Sequence, residues 1–251
     1  MPDETAVKRS AMLTQADIQQ LLSNPSAESR ALVGGKVADV YDRRAMSERE
    51  RQLADGILRV LAQDVELAVR KSLAEHLQSN PDVPHDVARK LATDVIEVAE
   101  PVLTHSDVLT DVDLIDIIRT QPTAAQVAVA KRRTVPEPVS DALAATGVEL
   151  VVATLVRNNG AEISERTFER VINDFGQSET VTSGMVSRQK LPPGVTRRLI
   201  DVVSDSLKME LIRKHDVPED VAEKIVLKSQ EDTLKDLLGS APAERNVEQL
   251  V

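Results

Sequence analysis

The chain has 251 residues, enough for one large domain or two small ones; 41% are hydrophobic and only 1% aromatic. With Tyr41, Phe168, Phe175 and no Trp, the core must be filled by Leu, Val, Ile and Ala. Zero cysteines exclude a disulfide framework and a thiolate metal site, and a net charge of −10 counts against phosphate-neutralising nucleic-acid binding without removing a local basic strip.

No run of eighteen apolar residues occurs, so no membrane span is expected. The opening Met1-Pro2-Asp3-Glu4 lacks the basic-then-apolar pattern of a secretory signal, which sets the expectation of a cytoplasmic protein.

In chain order, residues 1–12 are polar and aperiodic and read as a flexible N-terminus. Residues 13–63 read as an N-terminal helical cap. Thr14-Gln15-Ala16-Asp17 resembles a capping box, followed by Ile18, Leu21 and Leu22 on one stripe, and Asn24-Pro25-Ser26 breaks that helix. A second helix is expected from about Ser26 to Arg43, carrying Leu32, Val33, Val37, Val40 and Tyr41. Ser47-Glu48-Arg49-Glu50 is a second capping box, opening a helix with Leu53, Ile57, Leu58 and Leu61 at helical spacing.

From residue 64 to 238 one phrase recurs six times: an aliphatic residue, then Pro, Ser or Thr, then apolar residues three or four and seven positions on. The copies are Val83-Pro84 with Val87 and Leu91, Leu109-Thr110 with Leu114 and Ile117, and Val135-Pro136 with Val139 and Leu143. Ile163-Ser164 with Phe168 and Val171, Leu191-Pro192 with Val195 and Leu199, and Val217-Pro218 with Val221 and Ile225 complete the set. The steps between the Pro, Ser or Thr positions are 26, 26, 28, 28 and 26 residues, a period that means stacked supersecondary units. Each unit has room for a helix A before the phrase and a helix B after it, with Pro, Ser or Thr marking the start of helix B. The fold class expected is all-α, an α-solenoid of stacked antiparallel helical hairpins continuous with the less regular cap, forming one domain overall. Little β-structure is expected, and residues 239–251, opening with Gly239-Ser240-Ala241-Pro242, read as a tail.

No catalytic, cofactor-binding or metal-ligating set emerges. His76, His85, His105 and His215 show none of the spacings that put two ligands on one helical face. Gly34-Gly35-Lys36 lacks the rest of a phosphate loop and reads as a site of close helix packing; Asn158-Asn159-Gly160 reads as a helix stop with a left-handed residue.

One pattern is sharper. Basic residues recur at or just past the end of helix A: His105; Lys131, Arg132 and Arg133; Arg157; Arg188 and Lys190; Arg213 and Lys214. Stacking would gather them along one edge that could bind an anion or an acidic partner. The same pattern follows from cations complementing helix C-termini, at about 0.3–1 kcal/mol each. Replacing Arg188 and Arg213 together by Ala is accordingly expected to leave the fold nearly intact.

Asn24-Pro25-Ser26-Ala27-Glu28-Ser29-Arg30, Asp64-Val65-Glu66 with Val69-Arg70, and Asp94-Val95 with Val98-Ala99-Glu100-Pro101-Val102-Leu103 carry a family resemblance, as does Val108-Leu109-Thr110-Asp111-Val112-Asp113-Leu114-Ile115. Over about residues 14–230 the chain resembles the bacterial domain of unknown function 2336 family, found mainly in alphaproteobacteria. The resemblance implies HEAT-like helical repeats and supplies no activity, cofactor or functional residue.

The function expected from all this is a non-enzymatic scaffold binding a protein partner along its repeat surface. The alternative is nucleic-acid or other anionic-ligand binding through the basic edge, by analogy with HEAT-like DNA glycosylases; the acidic balance and scarce aromatics weigh against it. A third is an enzyme or small-ligand sensor with a pocket between repeats.

Overall fold

The computed structural model describes residues 25–215 apart from 43 and 44, together with positions 19, 23, 217, 222, 223, 225 and 227. The expected flexible residues 1–12, the Thr14 capping box with Ile18, Leu21 and Leu22, the phrase residues Pro218 and Val221, and the tail 239–251 lie outside them.

Thirteen helices are described: α1 (Ala27–Asp39), α2 (Glu48–Leu61), α3 (Leu67–Leu77), α4 (His85–Ala92), α5 (Ile96–His105), α6 (Asp111–Thr120), α7 (Thr123–Ala130), α8 (Glu137–Ala144), α9 (Glu149–Arg157), α10 (Glu165–Phe175), α11 (Glu179–Val186), α12 (Pro193–Val202) and α13 (Asp205–Lys214). From α3 onward they alternate as the A and B helices of the repeat. The protein is all-α. Among the described residues the one β contact is an isolated parallel bridge between Val135 and Ala161.

Among the described residues, the B-helix residues of the phrase in α4, α6, α8, α10 and α12 are buried in the core. In α4 the buried set is Val87, Ala88, Leu91 and Ala92; in α8 it is Val139, Ser140, Leu143 and Ala144; in α12 it is Val195, Thr196, Leu199 and Ile200. Each is the same i, i+1, i+4, i+5 stripe, so each B helix turns one face inward. Burying each large aliphatic contributes about 1.5–3 kcal/mol.

Proline sits one position earlier than a first-turn role would put it. Pro84, Pro136 and Pro192 are N-cap residues with φ of −55°, −61° and −60° and extended ψ. Their ring-locked φ suits that extended geometry, and the N-cap needs no helical N–H. Thr110 does the same work with its side chain: its Oγ1 accepts from Asp113 N at 3.3 Å, and Asp113 Oδ2 accepts from Thr110 N at 2.9 Å. The expected Ser47–Glu50 box is present in full.

The chain divides into two compact units, Met1–Thr167 and Phe168–Val251, with the boundary inside α10. In the first unit α1, α3, α5, α7 and α9 stack in order, A helix on A helix, while α6 packs on α8 in the other row. In the second, α11 and α12 both pack on α13.

Three local expectations change. The second helix stops at Asp39, so Val40 is its C-cap and is exposed, as is Leu32. Tyr41 lies beyond the helix and donates its hydroxyl to the buried Asp55 carboxylate. At Asn158-Asn159-Gly160 the helix does stop, but no residue there is left-handed; the one positive-φ residue described is Gly147, at 67°. Gly160 is instead fixed by close approach, since a Cβ there would lie 1.9 Å from the Arg133 carbonyl oxygen. Gly34 and Gly35 are packing glycines, as expected: a Cβ would meet Leu61 or the His76 ring at 3.0 Å.

Candidate functional site

The ends of the A helices are tied together by side chains that follow them. Arg132, just past α7, reaches back to the end of α5: Nη1 donates to the Leu103 carbonyl at 2.6 Å and Nη2 to the Ser106 carbonyl at 2.7 Å. One repeat later, Asn158 Nδ2 donates to the Ala130 and Arg132 carbonyls at 2.9 and 2.7 Å. In the second unit, His215 Nε2 donates to the Val186 carbonyl at 3.1 Å. Helix C-termini leave carbonyls without intrahelical partners, and here the following repeat supplies the donors.

This sorts the nine basic residues of the expected edge. Arg132 and Arg188 are buried, at 7% and 8% exposure. Burial pushes both guanidinium pKa values down; for Arg132, Asp107 and Asp111 act the other way. Arg188 also stacks on Phe168, its guanidinium carbon 5.5 Å from the ring centroid. Lys131 and Lys214 are exposed but pair with Glu100 and Glu210, at 3.3 and 2.6 Å. His105, Arg133, Arg157, Lys190 and Arg213 are exposed.

Beside Arg132 a polar cavity of about 260 Å³ opens at the ends of α3, α5 and α7, lined by Ser79, Thr104, His105, Asp107, Arg132, Arg133 and Thr134. Two of the five guanidinium N–H donors of Arg132 are spent on carbonyls, and Nε has no partner.

Among the described residues, no group of three or more His, Cys, Asp or Glu could hold a metal ion. His76 Nδ1 lies 2.6 Å from the Ser72 carbonyl. His85 Nε2 lies 2.7 Å from Asp113 Oδ2. Burial pushes the Asp113 carboxyl up, but hydrogen bonds from Thr110 and His85 outweigh it and hold it at about 2. This is a helix cap locked to the neighbouring B helix, with Asp113 as the shared acceptor.

An apolar surface lies elsewhere. On α2, Leu53, Gly56, Ile57 and Val60 follow the i, i+3, i+4, i+7 spacing of a helix-packing seam. With Val33, Leu61, Arg30 and Gln52 they line a groove of about 530 Å³, and Leu53 and Val60 are 68% and 71% exposed. The sequence reading groups Leu53 and Ile57 with Leu58 and Leu61 at helical spacing without separating their faces. The buried face is Ala54, Asp55, Leu58 and Leu61, and Asp55 turns inward to meet Tyr41. The missed signal was Val60, which extends the Leu53–Ile57 row away from the Leu58–Leu61 row.

Among the described residues no helix is long and apolar enough to cross a membrane. No curated protein and no solved structure matches the chain. A family described as "Uncharacterised protein conserved in bacteria (DUF2336)" matches residues 98–251. Of the segments that carried the resemblance, those from Val98 to Ile115 fall inside that span and the earlier ones outside it. Since more than half of its length is matched, the chain belongs to the bacterial DUF2336 family.

Proposed function

We propose that this protein is a non-enzymatic helical-repeat scaffold that binds a protein partner, and that the partner presents an amphipathic helix to the groove on α2. The observation that carries the reading is the apolar stripe Leu53, Gly56, Ile57 and Val60, with Leu53 and Val60 exposed and Gly56 and Ile57 half-buried. Its spacing is that of a helix–helix seam, and Gly56 sits in its middle with nothing within 4 Å of where a Cβ would stand, so a second backbone can come close. The two most exposed members, Leu53 and Val60, stand at opposite ends of the stripe, two turns apart. A surface of this kind is costly to leave in water at about 25 cal/mol per Å². The proposal includes a cytoplasmic setting, which the cysteine-free composition fits.

The nucleic-acid reading has less to rest on. Two of its nine basic residues are buried and two more are paired with glutamates on the surface.

The test is affinity capture from a native extract, with and without nuclease, comparing wild type with Leu53→Asp/Val60→Asp. Both positions are exposed, so the variant should keep its fold, checked by thermal unfolding. The reading expects a nuclease-resistant protein to be lost specifically from the variant. Equal capture by both proteins would overturn the groove as the contact, and retention that depends on nucleic acid would promote the alternative.

A further inference from the structure

The cavity beside Arg132 has features that the partner-binding reading does not use. Arg132, a residue only 7% exposed, carries its charge without an ion pair among the described residues. Buried charges are ordinarily paired, because removing an ion from water costs several kcal/mol unless a counter-charge replaces the lost hydration. Among the described residues, Arg132 has two backbone carbonyls and no carboxylate in direct contact, and its Nε has no acceptor; it forms one wall of an open polar cavity.

The other walls suit the same missing partner. Arg133 brings a second guanidinium, Thr104, Thr134 and Ser79 bring hydroxyls, and His105 brings a ring nitrogen. At about 260 Å³ the cavity lies below the size of drug-like and nucleotide pockets and takes a small ion. Two features oppose an anion there. The A-helix C-termini carry partial negative charge, but the Leu103 and Ser106 carbonyls are already covered by Arg132 itself. Asp107 lines the same cavity and Asp111 also acts on the Arg132 charge, so the two guanidinium groups must outweigh both carboxylates.

We infer that this cavity, at the ends of α3, α5 and α7, is a binding site for a small tetrahedral oxyanion of the phosphate class, held between the Arg132 and Arg133 side chains. Arg133 supplies the exposed arm of the clamp and Arg132 the fixed one, oriented by its bonds to the α5 carbonyls. The site is independent of the groove on α2, and the failure of either leaves the other standing.

The experiment is a titration of the isotope-labelled full chain with inorganic phosphate at constant ionic strength, followed by amide chemical shifts. Saturable shifts confined to the neighbourhoods of Ser79, Thr104–Asp107 and Arg132–Thr134 are expected. Arg133→Ala should weaken binding about tenfold. Asp107→Asn should tighten it. Lys190→Ala, which removes an equal charge from an exposed position elsewhere, should change nothing. Shifts that fail to saturate, or an equal loss in Lys190→Ala and Arg133→Ala, would show bulk charge screening and overturn the site. Because Arg132→Ala removes a structural tie, Arg132→Lys serves as the second variant: it keeps the charge but loses the fork, and binding undiminished in it would also count against the assignment.

Discussion

Arg132 Nη1 donates to the Leu103 carbonyl at 2.6 Å, joining the residue after one A helix to the end of the A helix before it. A cation near a helix C-terminus is expected from the macrodipole alone, but the contact goes further. The donor belongs to the next repeat, so the same bond that satisfies the terminus also fixes the stacking of α7 on α5. Asn158 repeats the arrangement one repeat on with a neutral amide, so the geometry needs a donor and not a charge.

Arg132→Ala should therefore destabilise the fold by roughly 2–4 kcal/mol, since two buried carbonyls lose their donor at about 1–3 kcal/mol each. Arg133→Ala, exposed and adjacent, should stay within about 0.5 kcal/mol. Urea denaturation of the two variants checks the contrast. Arg188 is buried against Phe168, so the sequence-based expectation that its loss together with Arg213 leaves the fold intact changes: Arg188→Ala should destabilise and Arg213→Ala should not.

The three glycine environments predict three different outcomes. Gly160→Ala should be severely destabilising, because its Cβ would stand 1.9 Å from a backbone oxygen and break the Val135–Ala161 bridge. Gly147→Ala should cost about 1 kcal/mol through its φ of 67°, with open space around the methyl. Gly56→Ala, helical and unobstructed, should stabilise by roughly 0.5–1 kcal/mol. A rank order of melting temperatures other than Gly56→Ala above wild type above Gly147→Ala above Gly160→Ala would contradict these assignments.

Leu199 is fully buried in α12, so Leu199→Asp places an unpaired carboxylate in the core of the second unit. A loss of at least about 4 kcal/mol is expected, or failure of that unit to fold. An unchanged unfolding transition would mean that this face of α12 does not point inward.

Asp113 gives the pH dependence. Its folded pKa is held at about 2, below the ordinary value of 3.8, so its contribution is present above the unfolded pKa and is lost as pH falls through the folded one. The window is pH 4 down to about 2, and the amount lost is about 2 kcal/mol. Asp113→Asn should be less stable at pH 7 and should show a flatter acid limb than wild type. Parallel acid limbs would remove the Thr110–Asp113–His85 cluster as their cause.

The repeat was legible because its residues do the same physical work in the described copies. Val87 and Leu91, Val139 and Leu143, and Val195 and Leu199 are all buried, and the residue before each helix B is an N-cap in each case. The α2 surface was harder to read because apolar spacing alone does not say which of two adjacent rows faces in. The deciding residue was Asp55, a carboxylate that reads as solvent-facing in sequence and is buried by its bond to Tyr41. The basic edge was legible as a pattern, but sequence could not separate Arg132, which folds back on the preceding repeat, from Arg133, which is exposed one residue later. That separation depends on the stacking distance between A helices.

The most direct test of the partner-binding account is a photo-activated cross-linking side chain introduced at Leu53 and irradiated in living cells, with the adducts mapped by mass spectrometry. The account predicts a discrete adduct to an apolar helical segment of another protein, competed away by Val60→Asp in the same chain. Adducts confined to residues 1–24 of its own chain, or to a second copy of it, would contradict it.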